Sequence, residues 1–206
     1  MRLFVFAMQE EVRGLRYNKH DDNLYKFIGV ENAFFVLTGV GKIQAAMKVT
    51  EMIMKYDVES VINVGFSGAT KEYRIGDVVL IEKATFHDFD LTTFGYEHGQ
   101  VPGFDKWFSV DRYLKLMITK KLINLKFGNL FTGDKFMTDG FTERMVFDME
   151  GAAIALVCKK FNKPWASIKI ITDNVGVEQQ INEYQEFIKQ GDPTQAIVRT
   201  VNILTI

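Results

Sequence analysis

Apolar residues along this chain fall into two patterns: short unbroken runs, and longer stretches in which they recur every three or four positions. Unbroken runs predict strands buried on both faces, because a sheet covered on one face only would show alternation. Residues 2–7, 58–64 and 165–172 are of this kind, another run opens at 76–81 and continues toward Phe86-His87-Asp88, and 126–132 predicts a further strand. Residues 23–30 and 33–38 flank the polar pair Glu31-Asn32 and predict a hairpin. Helical spacing marks 43–56, with Ala46, Val49, Ile53 and Tyr56 inward, and 111–122, with Tyr113, Leu114, Met117, Ile118 and Leu122 inward. A third helix is predicted over 148–161, with Met149, Ala152, Ala153, Leu156, Val157 and Phe161 on its apolar side and Asn162-Lys163-Pro164 as its stop. The tail is helical in two pieces, near 182–189 and 194–204, with Asp192-Pro193 as cap and first-turn residue of the second. Strands alternate with helices throughout, which predicts an α/β fold around a largely buried sheet.

Composition narrows the class. A length of 206 residues fits a single domain over 1–206, and 47% hydrophobic residues supply the material for a large core. With 25 basic and 26 acidic residues spread evenly, the net charge of −1 leaves no electrostatic footprint for nucleic acid. The apolar start is cut short at Gln9-Glu10-Glu11, too early for a secretory signal, and no stretch approaches the ~20 apolar residues of a membrane span. A lone Cys158 excludes an internal disulfide and fits a reducing compartment, so a soluble cytoplasmic protein is expected.

The chemistry-bearing residues cluster at element ends. Phe147-Asp148-Met149-Glu150-Gly151-Ala152-Ala153 places two carboxylates and a thioether at a predicted helix start, where acidic caps are common. Glu11 follows the first strand, and Asp173 is delivered to the C-terminal end of the last, the edge at which α/β sheets bind ligands. Such carboxylates, brought together, suit cleavage of a glycosidic bond, one protonating the leaving group and another activating water. Gly39-Val40-Gly41-Lys42 lacks both the spacing of a phosphate-binding loop and the third glycine of a dinucleotide fingerprint, and is better explained as a close-packed strand-to-helix turn. Gly65 and Gly68 permit close backbone approach by a packed helix or a ligand. The segment 89–108 carries Phe94, Tyr96, Phe104, Trp107 and Phe108 without periodicity, which predicts a pocket wall or a subunit interface.

Ala7-Met8-Gln9-Glu10-Glu11, Thr38-Gly39-Val40-Gly41-Lys42, Asn63-Val64-Gly65, Gly76-Asp77-Val78-Val79, His87-Asp88-Phe89-Asp90, Phe94-Gly95-Tyr96, Gly99-Gln100-Val101-Pro102-Gly103, Gly133-Asp134, Asp148-Met149-Glu150 and Thr172-Asp173 follow in an order and at separations that resemble the 5′-methylthioadenosine/S-adenosylhomocysteine nucleosidases of the nucleoside phosphorylase superfamily. The resemblance spans nearly the whole chain. It implies a three-layer α/β/α sandwich around a mixed central sheet, a homodimer, no cofactor and no metal, and hydrolysis of an adenine thioribonucleoside. It further implies that Asp173 delivers a proton to adenine N7 and Glu11 activates water. Glu150 would bond the ribose hydroxyls, Met149 would lie against the sugar, and Phe136, next to Met137, would stack on adenine. Val40 and Tyr184 would line the alkylthio pocket, and Phe94, Tyr96 and Pro102 would reach the partner subunit's site. Three positions depart from the family pattern: Phe66 stands where Ser is usual, Lys169 where Arg is usual and Asp148 where Glu is usual. Ser67 could supply the missing hydroxyl one residue later, and the connection from Phe136 to Asp148 is several residues shorter. A nucleoside phosphorylase is the alternative within the superfamily, but Asn63 replaces the expected Arg and no basic residue lies between Glu59 and Ala69, which favours water as nucleophile. A non-catalytic nucleoside-binding protein that kept the fold and lost the water site is the third reading.

Overall fold

The computed structural model describes residues 1–189 and 192–205. Its strands are β1 (Arg2–Phe6), β2 (Tyr17–Asp21), β3 (Leu24–Phe27), β4 (Ala33–Leu37), β5 (Ser60–Ala69), β6 (Val78–Phe86), β7 (Phe108–Ser109), β8 (Lys126–Thr132), β9 (Val146–Asp148) and β10 (Trp165–Asn174). The helices are α1 (Lys42–Lys55), α2 (Arg112–Lys121), α3 (Gly151–Lys160), α4 (Gln180–Lys189) and α5 (Asp192–Thr205). One mixed sheet runs in the order β10-β6-β8-β9-β5-β1-β4-β3-β2, with β7 paired to β6. Because β10 also pairs with β5, the first part of that path closes into a ring and the rest extends as an open wing.

Alternate residues of the same strand feed opposite cores. Leu3 and Val5 of β1 face Val49, Met52 and the buried side of α3, while Phe4 and Phe6 face Leu114, Ile118, Ile197 and Val201 of α2 and α5. That two-sided burial produces both the unbroken apolar runs and the three layers, helices covering each face of the sheet. Among the described residues no helix is long and apolar enough to cross a membrane.

The topology gathers element ends at one place. β1 and β10 flank β5 and both run parallel to it, so the C-terminal ends of the three strands lie together. β9 runs back antiparallel beside the end of β5, with Phe147 opposite Gly68, and so brings Asp148, Met149 and Glu150 to the same edge.

Several expectations are corrected. Asp148 is the last residue of a strand, and α3 begins only at Gly151, because the buried run Val146–Asp148 pairs with both β5 and β8 before the chain turns. β5 continues through Gly65 and Gly68 to Ala69, and β10 extends to Asn174. Tyr113 is exposed, and Ala45 lies deeper in the core than Ala46. The polar strand β2 carries no sequence pattern of burial, being an edge strand held by β3.

Candidate active site

A cleft of about 690 Å³ opens where these ends meet. Glu11 enters it from the 3-10 turn Gln9–Val12, 3% exposed and held at both oxygens. Its Oε2 accepts from the backbone N–H groups of Ala7 (2.6 Å) and Met8 (3.1 Å), and its Oε1 from that of Phe66 (2.9 Å). The carboxylate fills the place of a side chain on Gly65, where a Cβ would lie 2.5 Å from Oε1. Burial pushes the Glu11 carboxyl above its ordinary range, opposed by the Lys169 charge and the backbone donors.

Asp173 stands on the other side of β5, with its Oδ2 2.9 Å from where a Cβ on Gly68 would be. Thr172 Oγ1 donates to its Oδ1 at 2.5 Å, and Gln180 Nε2 donates to its Oδ2 at 2.8 Å. Burial raises its carboxyl, the two donors oppose that, and the nearby Glu183 charge adds to it. Glu150, just before α3, accepts at Oε1 from the N–H of Gly41 at 2.8 Å. Burial and then the Asp148 charge push Glu150 up to about 7, against Lys169 and the Gly41 bond.

Beneath them lies a buried ion pair. Lys169 Nζ sits 2.8 Å from Asp148 Oδ2, both side chains 1% exposed, and that oxygen also accepts from the N–H of Gly151 at 2.8 Å. Thr132 donates its hydroxyl to the other oxygen of Asp148. One ammonium therefore faces three buried carboxylates, Glu11, Asp148 and Glu150. The lysine in the cleft lining, Lys135, bonds Asp139 at 2.9 Å, and Lys42 after the glycine pair is taken up by Asp88 and Asp134. The site is acidic and unsuited to an anionic co-substrate.

A model of the phosphorylase superfamily matches residues 7–201. The 5′-methylthioadenosine/S-adenosylhomocysteine nucleosidase of Bacillus cereus is 34% identical, over 93% of each chain. That of Bacillus cytotoxicus is 33% identical with the same coverage. The chain belongs to this nucleosidase family. The methylthioadenosine/adenosylhomocysteine nucleosidase of Streptococcus pneumoniae, solved in complex with 8-aminoadenine, is 28% identical with a TM-score of 0.84, over 99% of this chain and 96% of that one.

Of the site residues expected from the sequence, Glu11, Val40, Phe66, Ser67, Phe136, Met137, Asp148, Met149, Glu150, Asp173 and Tyr184 all line the one cleft. Phe136 and Tyr184 meet edge to face at its rim, ring centroids 5.7 Å apart. Lys169 lies behind the lining. Phe66 contributes its backbone N–H, while its ring turns onto Phe187. Ser67 has a buried hydroxyl without a hydrogen-bond partner among the described residues. Phe94, Tyr96 and Pro102 lie away from this cleft on an exposed loop. Sequence reasoning missed Gln180, a buried glutamine at the start of α4, because no pattern in Gln179-Gln180 distinguishes it from a solvated helix start.

Proposed function

We propose that the protein hydrolyses the N-glycosidic bond of 5′-substituted adenine nucleosides (5′-methylthioadenosine, S-adenosylhomocysteine or a relative such as aminodeoxyfutalosine) and releases adenine. The observation that carries this reading is the pair Glu11 and Asp173, both buried, both raised, and anchored beside β5 at positions three residues apart.

In this reading Asp173 protonates N7 as the C1′–N9 bond breaks, so that adenine leaves neutral. A positioned acid contributes ~10²- to 10⁴-fold. Glu11 takes a proton from the attacking water. Ser67, two residues beyond Gly65, leaves the strand on the face occupied by the Glu11 carboxylate, and its unpartnered hydroxyl is the second holder of that water. Glu150 bonds the ribose hydroxyls, Met149 lies against the sugar, and the negative charge of the site stabilises the oxocarbenium-like transition state. Phe136 and Met137 hold the adenine, and Val40 and Tyr184 line the 5′ substituent. Asp148 and Lys169 set the charge balance under the site. The single domain 1–206 acts in the cytoplasm as a homodimer, with Phe94, Tyr96 and Pro102 of a second copy closing the 5′ pocket. The acidic lining argues against a phosphorylase.

A non-catalytic nucleoside-binding protein is the second reading, favoured by one observation: Lys169 is bonded to Asp148 rather than to Glu11. Incubation with methylthioadenosine, adenosylhomocysteine, aminodeoxyfutalosine, adenosine and inosine, with and without phosphate, separates the readings. Phosphate-independent adenine release is expected. Release that requires phosphate would make the protein a phosphorylase, and tight binding without release a binding protein.

A further inference from the structure

Asp173 is held by two unlike donors, and the difference decides which of its oxygens can carry a proton. Gln180 uses its amide fully: Nε2 donates to the Met137 carbonyl at 2.7 Å and to Asp173 Oδ2 at 2.8 Å, and Oε1 accepts from the N–H of Gly176 at 3.0 Å. A flipped amide would set its oxygen against two acceptors and its NH₂ against a donor, so the orientation is locked. Thr172 is free to reverse. Its Oγ1 lies 2.5 Å from Asp173 Oδ1 and 3.2 Å from the Ser67 carbonyl, and its one proton serves only one of them at a time. With Asp173 ionised, that proton points to Oδ1. With Oδ1 protonated, the hydroxyl accepts from the carboxyl and turns its own proton to Ser67.

The geometry points to Gln180 as a positioning residue for proton transfer: its irreversible donation keeps Oδ2 proton-free and leaves the transferable proton on Oδ1, beside the reversible Thr172 hydroxyl. This rests on the hydrolytic reading, in which Asp173 is the acid. As Oδ1 gives its proton to N7, the electron pair of the C1′–N9 bond passes into the base, and the Thr172 proton swings from Ser67 onto the newly charged Oδ1. Both donors then act most strongly on charge that appears only as the bond breaks. Through Met137, Gln180 also ties the acid to the segment that carries Phe136. The titratable groups facing Asp173 are Glu183 and Tyr184 of α4, with Glu11 and Glu150 across the cleft, whereas β5 offers it only the uncharged Ser67 and Gly68.

The test uses the full chain carrying Gln180→Leu, Gln180→Glu, Thr172→Val or Thr172→Ser. Two quantities are followed: titration of the Asp173 carboxyl by ¹³C NMR without ligand, and the pH profile of kcat with adenosylhomocysteine. Loss of a donor to the ionised form raises its pKa, so Gln180→Leu should move both the titration and the alkaline limb of kcat to higher pH. It should also lower kcat roughly 10- to 100-fold, with a smaller change in KM. Thr172→Val should act in the same direction, and Thr172→Ser should restore the wild-type profile. A lowered melting temperature with unmoved titration and limb would reduce Gln180 to a structural residue and overturn the proposal. If Gln180→Leu does not fold, Gln180→Glu carries the same test, because a carboxylate beside Oδ2 must raise the Asp173 titration. A wild-type chain that releases no adenine while its Asp173 titration responds to these variants would sink the hydrolytic reading and leave the carboxyl arrangement standing. Release by wild type with an unresponsive titration would do the reverse.

Discussion

Gly65 lacks a side chain because the Glu11 carboxylate takes its place, and three backbone N–H groups hold that carboxylate there. An alanine would force the carboxylate out of all three bonds or bend β5. Gly65→Ala is therefore expected to lower kcat about 10²-fold or more, as a displacement near 1 Å suffices for that, and to cost about 1–3 kcal/mol of stability from overpacking. Steady-state kinetics and urea denaturation on the same preparation check both, and an alanine variant with full activity would remove Glu11 from the reaction. Glu150 supplies a second residue-level test. Its carboxyl is raised from 4.5 to about 7 on folding, so between those values the folded chain binds more protons than the unfolded one. Stability from this group is then complete below the lower value and lost as pH rises through the upper one. Glu150→Gln keeps an oxygen for Gly41 and removes the charge. Its melting temperature should match wild type at pH 4 and exceed it by about 5 °C at pH 8. A deficit at pH 8 would mean that the ionised carboxylate is stabilising.

At the scale of elements, Lys169 shows what a chain pattern can and cannot disclose. A lysine between Ile168 and Ile170 in an unbroken apolar run implies a buried anionic partner, but the partner's identity depends on β9 arriving antiparallel beside β5. β1, β5 and β10 were legible because two-sided burial writes itself as continuous apolar residues. β2 was not, since Tyr17–Asp21 is exposed and owes its conformation to pairing with β3. Glu11 and Asp173 were legible as carboxylates at strand ends. The helix start expected at Asp148 was misplaced because a short strand and a helix turn look alike over the three residues Val146, Phe147 and Asp148. Gln180 acquires its role only from the approach of α4 to the end of β10, which no local pattern records. The ion pair itself gives the prediction. Lys169→Met should destabilise the fold by about 3–5 kcal/mol by leaving the Asp148 charge buried without its cation, and adding Asp148→Asn should recover most of that loss in urea denaturation. Non-recovery in the double variant would show that packing of the lysine stem, not charge, was lost.

The molecule as a whole leaves an apolar strip uncovered along α1, which starts two residues after Val40 of the cleft lining. Ile43, Met47 and Met54 of α1 are 71%, 68% and 72% exposed and recur at intervals of four and seven residues, which places them on one face of the helix. Phe94, 76% exposed, and the half-exposed Val40 add to the apolar surface. Such a surface is costly in water and suits a second copy of the same chain, which would also bring Phe94, Tyr96 and Pro102 to the 5′ end of a bound nucleoside. Light scattering should therefore give a dimer for the wild type and a monomer for the double variant Ile43→Glu/Met47→Glu. Phe94→Ala is the sharper probe, because it should leave the dimer intact. Removing a buried phenyl group costs about 1.5–3 kcal/mol, so KM for methylthioadenosine should rise roughly 10- to 100-fold. KM for adenosine, which offers the phenyl group no alkylthio chain, should change far less. Equal effects on both substrates would place Phe94 in the fold of its own loop, and full activity in a monomeric chain would show that the cleft needs no second copy.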